Sequence, residues 1–366
     1  MPDSFSHPPR HRRVAIATIA LGLFALQATH GVAQTPRVVE LDQNGQTLVG
    51  MQLVRTSHSL LLLATDGQLH HFDQPTTPMN IRESDAPFTP DSAVAMRAKL
   101  TREFGRKMEV VATKHFLVVQ PRGRGKQWPD MFESLHRQFT QQMRLRGVNV
   151  RSGRFPMVAV VLPDRPALQA ELDRQRIAGG NIAGVYVTAS NRVYTFDGGM
   201  NDMTAAVIRH EAAHQSAFNF NVHNRLNETP KWITEGIGMM FEPSAMATAG
   251  SSARPSDRMN AEAVSLLKAR YADKTRSFPS DLARLVAGDE MFGSAAEVSD
   301  AYALAWVAMY FLAERKPTAF AAMLNHTASR SPFETYPSDA RLADFQRIVG
   351  RSVEQTANDI RSFITF

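Results

Sequence analysis

The spacing of apolar residues changes near residue 200, and this change restricts the possible folds more than any other feature of the sequence. Before that point, short strand-like apolar runs stand between turn signals, whereas from Asn201 onward nearly every apolar run follows a helical period. With 366 residues, 43% of them hydrophobic, the chain is long enough for about two domains with real cores. The pattern predicts an α+β protein in which a mixed sheet packs beside a helical C-terminal lobe.

The first 33 residues have the three parts of an export signal. A basic cluster at residues 10–13 precedes an uncharged run of 13 residues, 14–26, and a small-residue stretch then ends at Ala33. The uncharged run is shorter than the ~20 residues that cross a bilayer, which argues against a permanent anchor. We therefore expect residues 1–33 to be a cleaved signal peptide and the mature chain to be periplasmic or secreted, without stable membrane insertion.

The charge balance and the lack of cysteine exclude several classes of function. Lysine and arginine outnumber aspartate and glutamate by 41 to 35, and the net charge of +6 falls to +4 without the three arginines and one aspartate of the first 33 residues. A surplus this small indicates no particular partner. The basic run at residues 122–126 lacks aromatic residues on which bases could stack, so no nucleic-acid partner is expected. The absence of cysteine excludes disulfides, thiolate metal sites and a cysteine nucleophile.

Turn signals and prolines divide the mature chain into two parts. Residues 36–80 carry the turn pairs Asn44-Gly45 and Asp66-Gly67 between strand-like runs, which predicts a small β module. The passage that follows is expected to be a linker because it contains four prolines: Pro75, Pro78, Pro87 and Pro90. Residues 90–366 are predicted to form the larger domain.

The larger domain begins with strand and helix patterns in alternation. We expect strand structure at residues 109–120 and 156–162, helices at 127–146 and 167–177, and a hairpin at 184–196. The edge of that hairpin could hold an extended peptide by main-chain hydrogen bonds.

Two histidines one helical turn apart follow this hairpin. Residues 210–214 read His-Glu-Ala-Ala-His, the H-E-x-x-H pattern. Residues four apart stand one above the other on a helix, so both imidazoles can reach one cation at ~2.0–2.1 Å while Glu211 projects beside it. The inward stripe of this helix is predicted to contain five residues: Met203, Val207, His210, His214 and Ala217.

A zinc site of this kind needs a third protein ligand, and Glu235 is the best candidate. Thr229 is a suitable N-cap and Pro230 suits the first helical position, so a helix is expected to begin there. On that helix Glu235 shares a face with apolar residues, where a cation would stabilise its carboxylate. Gly236 and Gly238 would let this helix approach the histidine helix closely. The alternative is that Glu235 is a partly exposed residue near a helix start.

These residues resemble the gluzincin metallopeptidases. The sequence is similar to a bacterial family of exported, peptidase-like proteins catalogued as a domain of unknown function, over roughly residues 101–312. The resemblance implies a zincin-like domain with one Zn²⁺, in which His210, His214 and Glu235 are the metal ligands and Glu211 is the catalytic base. It is carried by residues 210–215, which read His-Glu-Ala-Ala-His-Gln, and by Pro230, Trp232, Glu235, Gly236, Tyr302 and Trp306.

The chemistry of such a site follows from its ligands. Zinc held by two neutral imidazoles and a carboxylate keeps an open position for water and lowers the pKa of that water towards ~7. Glu211 would take the proton of the water and pass it to the leaving amine. A second donor is normally needed for the oxygen that becomes negative, and Tyr302 is the first choice. A core role for Tyr302 remains open, Gln215 could orient a ligand, and three residues compete for the donor role: Tyr186, Tyr194 and His223.

These observations predict an exported zinc-dependent peptidase that hydrolyses peptide bonds in a peptide or protein substrate. Two alternatives remain open. One is a non-catalytic binding or scaffolding protein of the cell envelope built on a zincin-like fold, and the other is a zinc amidase acting on cell-wall peptides. The sequence indicates neither the cleavage specificity nor the oligomeric state.

Overall fold

The computed structural model describes the following residues: 37–43, 46–56, 59–73, 80–177, 182–198, 201–248, 254–273 and 275–364. They contain two sheets and a helical C-terminal region, so the predicted α+β class is confirmed. The predicted signal peptide, residues 1–33, lies outside the described residues and stays a prediction.

The N-terminal module is a five-stranded antiparallel sheet. Its strands are β1 (Arg37–Gln43), β2 (Gln46–Arg55), β3 (Ser59–Ala64), β4 (Leu69–Asp73) and β5 (Asn80–Ser84). Their order across the sheet is β4-β3-β2-β1-β5. The predicted turn at Asp66-Gly67 joins β3 to β4, and Gly67 has the positive φ of 86° that such a turn favours in glycine. The other predicted turn pair, Asn44-Gly45, lies outside the described residues.

The module continues past its predicted end at residue 80. Strand β5 pairs with β1 as far as Ser84, in a passage that was expected to be a linker. Pro87 and Pro90 lie beyond the end of this strand. They do not interrupt it, because a proline disrupts strand pairing only where its missing N–H would have donated to the neighbouring strand. Pro75 and Pro78 lie outside the described residues.

The larger domain opens with a second, mixed sheet and three helices. The elements are α1 (Ala93–Phe104), β6 (Met108–Ala112), β7 (Phe116–Pro121), α2 (Gln127–Leu145), β8 (Met157–Leu162), α3 (Arg165–Arg174), β9 (Gly184–Val187) and β10 (Arg192–Phe196). The strand order is β6-β7-β8-β10-β9, with β8 parallel to both of its neighbours. The predicted strand run at 109–120 is two strands, and the predicted hairpin β9–β10 is confirmed.

The rest of the described chain is helical. It comprises α4 (Asp202–Asn219), α5 (Lys231–Met240), α6 (Ala245–Thr248), a 3₁₀ turn (Pro255–Arg258), α7 (Ala261–Tyr271), α8 (Phe278–Ala287), α9 (Glu290–Gly293), α10 (Val298–Arg315), α11 (Pro317–Ala328), α12 (Ser338–Val349) and α13 (Val353–Ile364). We call α5–α13 the helical lobe. No helix within the described residues combines the length and apolar character that a membrane crossing requires.

Helix α4 lies between the second sheet and the helical lobe. Ile208 and Ala212 pack with residues of β9 and β10, whereas Ala213 and Ala217 belong to the core that α5 and α10 build. The β module rests on the same domain, because Leu69 packs near Phe155 and its backbone N–H donates to the carbonyl of Ala189 at 2.7 Å, at the end of β9. Side chains that α4 turns toward the lobe are therefore enclosed.

Candidate metal centre

Helix α4 carries both histidines on its buried length. It begins at Asp202, where the side chain of Asn201 accepts a hydrogen bond from the backbone N–H of Thr204. The imidazoles of His210 and His214 are 0% exposed, and their ring centroids lie 4.6 Å apart. The prediction that both histidines point inward is therefore confirmed.

The predicted inward stripe is wrong at its first member, because Met203 is 54% exposed. The other four members, Val207, His210, His214 and Ala217, are buried. The first turn of α4 projects beyond the sheet and the lobe that cover the rest of the helix. Periodicity alone does not reveal where this cover begins.

Helix α5 begins one residue later than predicted. Pro230 has φ −53° and ψ 136° and occupies the N-cap position, so Lys231 is the first helical residue and Thr229 lies outside the helix. The backbone N–H of Lys231 donates instead to Oδ1 of Asp289 at 3.0 Å. A carboxylate from a distant segment therefore satisfies the helix start, which the local sequence does not indicate.

Helix α5 brings Glu235 to the two histidines. Its Oε2 atom lies 3.3 Å from Nε2 of His210 and 3.6 Å from Nε2 of His214. Two donor atoms that each lie ~2.1 Å from one metal ion at a tetrahedral angle are about 3.4 Å apart. One ligand atom from each of the three residues lies within 4.8 Å of the others, and all three residues are buried. The side chains present therefore fit a metal ion, and Glu235 is not the exposed surface residue of the alternative reading.

The two glycines of α5 permit two different close approaches. A Cβ atom on Gly238 would lie 2.5 Å from Nε2 of His210, so the expected approach to the histidine helix is confirmed for this glycine. A Cβ atom on Gly236 would instead meet the carbonyl oxygen of Ala305 in α10, also at 2.5 Å. Residues two apart on a helix face roughly opposite directions, which is why the two glycines serve different neighbours.

The electrostatics of the three residues call for a positive charge. Burial alone would raise the pKa of Glu235, but the charge of His214 and the hydrogen bonds with both histidines outweigh it and hold that pKa well below its ordinary value. Burial likewise opposes a charge on His210, but hydrogen bonds with Glu235 and Glu242 raise its pKa. The carboxylate is thus ionised next to a protonated imidazole. A metal ion could take the place of that proton.

Glu242 holds His210 from the opposite side and was not predicted. Its Oε1 atom lies 2.9 Å from Nδ1 of His210, and its Oε2 accepts a hydrogen bond from Nδ2 of Asn260 at 2.7 Å. This contact directs Nε2 of His210 toward Glu235, as carboxylates that orient metal-binding histidines do. The signal in the sequence is weak: Glu242 follows Glu235 by seven residues, two helical turns, and stands just past the end of α5.

Glu211 lies beside the ligands and keeps one oxygen available. It is 0% exposed, and its Oε2 accepts a hydrogen bond from the backbone N–H of Tyr186 at 2.7 Å. Among the described residues, Oε1 has no hydrogen-bond partner. Burial raises the pKa of Glu211 to about 8, against the opposing charge of His210. A buried carboxyl with one fixed oxygen and a raised pKa has the properties of a proton acceptor and donor.

Tyr302 also lies at the centre, on α10. Its ring centroid is 6.4 Å from that of His210, and its hydroxyl hydrogen-bonds with the carboxylate of Glu235. Burial, followed by the charge of Glu235, raises the pKa of Tyr302 well above its ordinary value. The phenol is therefore neutral, and its hydroxyl is engaged with a ligand side chain.

The other candidates for the second donor lie in different surroundings. The hydroxyl of Tyr186 donates to Oδ1 of Asn191 at 2.8 Å, and Tyr194 packs in the apolar cluster on the other side of the sheet. The amide of Gln215 donates to the carbonyls of Val158 and Asn191, both at 2.9 Å, so it ties α4 to the sheet. Gln215 thus anchors the helix to the sheet through its Nε2 atom. The remaining candidate, His223, is fully buried after the end of α4.

Strand β9, which was expected to offer an edge to a peptide, forms one edge of the described sheet. It runs beside Glu211, to which it donates the N–H of Tyr186. The proposed peptide-binding edge and the candidate base therefore lie next to each other.

Comparison with known protein families gives a match to the helical part of the chain. Residues 204–334 are similar to a family described as a protein of unknown function, DUF1570. This segment contains His210, Glu211, His214, Glu235 and Tyr302, so the similarity covers the whole candidate centre. No curated protein matches the sequence.

Proposed function

We propose that the protein is an exported zinc-dependent peptidase of the gluzincin type. The observation that carries this proposal is the position of Glu211. Two histidines and Glu235 would suffice to hold a metal ion for purely structural reasons, whereas a second buried acid, one of whose oxygens has no hydrogen-bond partner among the described residues, adds nothing to such a site. Next to a hydrolytic metal ion, that oxygen would serve as a base.

The ligand set favours zinc, because two imidazoles and one carboxylate are typical of catalytic zinc sites with an open position. Bound by His210, His214 and Glu235, zinc would polarise the scissile carbonyl and acidify a water molecule. The residues of the chain carry the proton. Glu211 accepts it from the attacking water at Oε1 while the N–H of Tyr186 holds Oε2 in place. The water oxygen bonds to the carbonyl carbon, and Glu211 gives the proton to the amide nitrogen as the C–N bond breaks. The products are a free amine and a carboxylic acid, which carries the second proton of the water until it ionises.

A peptide substrate would lie along β9. Main-chain hydrogen bonds with the strand edge would place an extended chain beside Glu211. Tyr302 and Glu242 are partly exposed, whereas the three ligands and Glu211 are at most 3% exposed. A substrate would enter on the side of Tyr302, whose hydroxyl bonds with the ligand carboxylate, and would displace that contact.

Metal analysis and one conservative variant test the proposal. We expect one zinc per chain in the purified mature protein and none in the His210→Ala, His214→Ala double variant. The Glu211→Gln variant should keep the zinc but cleave a mixed peptide library at least about 10²-fold more slowly. A wild-type protein that takes up no metal at micromolar zinc would remove the proposal, and full activity of Glu211→Gln would remove the base.

The burial of the ligands favours one alternative, a non-catalytic binding or scaffolding protein. In that case the wild-type protein would bind zinc stoichiometrically, cut no peptide library, and be as stable with glutamine at position 211 as with glutamate when zinc is bound. Digestion of peptidoglycan followed by mass analysis would identify the third possibility, a zinc amidase acting on cell-wall peptides.

A further inference from the structure

The loop after α4 carries an arginine that pairs with no acid among the described residues. Arg225 is partly exposed, and its hydrogen bonds within the described part of the chain both come from Nη1, which donates to the carbonyls of Gly67 at 2.8 Å and Thr188 at 3.1 Å. Asp66 acts on Arg225 through its charge, but both of its carboxylate oxygens bond with Gln68. The remaining donors of the guanidinium, Nε and Nη2, are therefore left for another partner.

Two other enclosed arginines of the chain do have acids. Arg192 donates to both carboxylate oxygens of Glu103, at 2.7 Å and 3.0 Å, and Nη2 of Arg341 donates to Oε1 of Glu228 at 2.6 Å. Burial lowers the pKa of Arg225 below its ordinary value, but an arginine side chain keeps its charge in a protein. A positive charge that is taken out of water without an acid beside it is costly, so Arg225 indicates an anion that arrives with a ligand.

The guanidinium lies on the same edge of β9 as the candidate base. The backbone N–H of Tyr186 donates to Oε2 of Glu211 at 2.7 Å, so it points away from the paired strand β10. Residues two apart in an antiparallel strand direct their backbone groups to the same side. Thr188, whose carbonyl accepts from Arg225, is two residues beyond Tyr186 and just past the end of β9. At 3.3–3.4 Å per residue, these two contacts are about 7 Å apart along the edge.

The N-terminal module closes this edge beyond Thr188. The turn between β3 and β4 supplies the carbonyl of Gly67 that Arg225 bonds, and the N–H of Leu69 donates to the carbonyl of Ala189 at 2.7 Å. The carbonyls of Thr188 and Ala189 are thus both engaged, one by Arg225 and one by the module. A peptide that lies along β9 would therefore have to end there, beside a positive charge.

We propose that Arg225 binds a carboxylate of the substrate, and that this carboxylate is the free C-terminus of a peptide from which the protein releases a dipeptide. This assignment rests on the proposed hydrolytic function. Guanidinium groups bind carboxylates through two parallel, charge-assisted hydrogen bonds, for which Nε and Nη2 remain.

The spacing along β9 determines which bond is cut. Two residues of an extended chain also span about 7 Å, so a C-terminus at Arg225 places the second peptide bond from that end beside Glu211. Water would cleave this bond to give a shortened peptide with a new carboxyl group and a dipeptide with a free amine. An acidic side chain on the last residue would present the same chemical group to Arg225, and the experiment must distinguish the two sources.

Binding of three dansyl-labelled peptides tests the assignment. They are tetra-alanine with a free C-terminus, tetra-alanine with a C-terminal amide, and the same amide with aspartate as its last residue. Fluorescence anisotropy measures their affinity for the zinc-loaded Glu211→Gln protein, in which cleavage is suppressed, and again in chelator. Arg225→Gln and Arg225→Lys are added to this background. Arg122→Gln is the matched control, because Arg122 is an exposed arginine that also donates to a backbone carbonyl, that of Arg106.

We expect the free acid to bind about 10–100-fold more tightly than its amide, as hydrogen bonds to a charged group imply. Arg225→Gln should bring the two affinities to within about two-fold of each other, and Arg225→Lys should keep part of the difference, because lysine retains the charge but not the paired donors. Arg122→Gln should keep the full ratio. Each ratio is measured within one protein, so a variant that is partly unfolded still reports it. Mass analysis of wild type with the free acid should show dialanine and dansyl-dialanine.

Three results would overturn the assignment. Equal affinities for acid and amide, or an unchanged ratio in Arg225→Gln, would exclude a carboxylate site and leave Arg225 as a structural link between the module and the larger domain. Tighter binding of the aspartate-containing amide than of the free acid would assign the site to acidic side chains. Products other than a dipeptide would contradict the spacing along β9. A wild-type protein that takes up no zinc would instead contradict the proposed function itself, and the ratio measured in chelator would still decide whether Arg225 binds a carboxylate.

Discussion

The metal centre and the part of the helical lobe beyond α5 neutralise their buried acids in different ways. In the lobe, Asp300 is 1% exposed and accepts hydrogen bonds from Nε of Arg270 at 2.9 Å and from Nη1 of Arg276 at 2.5 Å. At the centre, Glu235 is 3% exposed and meets two imidazoles, at 3.3 Å and 3.6 Å. An arginine is always charged in a protein, whereas an imidazole becomes charged only by taking up a proton.

This difference distinguishes a structural ion pair from a site whose acid is neutralised only by an added proton or cation. The partners of Asp300 are two guanidinium groups that the chain itself supplies. Glu235 is neutralised only when a proton or a cation joins the imidazoles. Because metal binding displaces those protons, we expect zinc affinity to decrease at acidic pH.

The largest expected effect comes from replacing each acid with its amide. Zinc binding to four-ligand sites amounts to about 10–16 kcal/mol, or about 2.5–4 kcal/mol per ligand, so Glu235→Gln should bind zinc about 10²–10³-fold more weakly. Asp300→Asn should keep its zinc affinity but lower the free energy of unfolding by about 3 kcal/mol, because two arginines lose a buried partner. Calorimetric titration with zinc and urea unfolding in chelator measure the two quantities.

The contrast between Glu235 and Asp300 would be wrong if Glu235→Gln and Asp300→Asn changed zinc affinity and the free energy of unfolding in the same way. Normal zinc affinity in Glu235→Gln would exclude Glu235 as a ligand. Loss of zinc from Asp300→Asn without loss of stability would show that the acid of the lobe takes part in the centre.

The sequence predicts those parts of the centre that depend on local spacing. His210, Glu211 and His214 lie within one helical turn, and Glu235 was found from the apolar face of a single helix. Glu242 was missed because it acts through the side chain of His210, in a contact between residues 32 positions apart that depends on how α5 packs against α4.

The fold, too, is predictable where it depends on local sequence and not where it depends on contacts between distant segments. Strand β8 follows from a short continuous apolar run, the β9–β10 hairpin from two such runs around a turn signal, and the α+β class from the change of period near residue 200. The start of α5 differs from the prediction because Asp289, from another segment, accepts the first N–H. The exposed position of Met203 depends on where the sheet and the lobe end, which no periodic pattern contains.

A smaller effect on zinc affinity is expected at Glu242, which contacts the ligand side chain of His210 but would not itself bind the metal ion. Loss of such an orienting carboxylate typically lowers metal affinity by about 10–100-fold, and we expect Glu242→Gln to fall in that range. Glu262→Gln, at an exposed acid in the first turn of α7, is the matched control and should bind zinc like wild type. If both variants bind zinc equally well, Glu242 does not position His210.

The last prediction concerns stability and not metal affinity: it is the pH dependence of unfolding in the metal-free protein, and it arises at Glu211. Burial raises the pKa of Glu211 to about 8 from the 4.5 of an unperturbed glutamate, so between these values the folded state keeps a proton that the unfolded state has lost. The stability from this proton is complete below pH 4.5, declines as the pH rises, and is lost above pH 8. Thermal unfolding in chelator should therefore show a midpoint that falls more between pH 6 and pH 9 in wild type than in Glu211→Gln. Asp300→Asn should keep the wild-type slope, since the arginines beside Asp300 do not titrate in this range.

Parallel curves for wild type and Glu211→Gln would mean that Glu211 is ionised in the folded protein at pH 6. The carboxyl would then be as well neutralised as Asp300, and the contrast between the lobe and the centre would be limited to the three ligands.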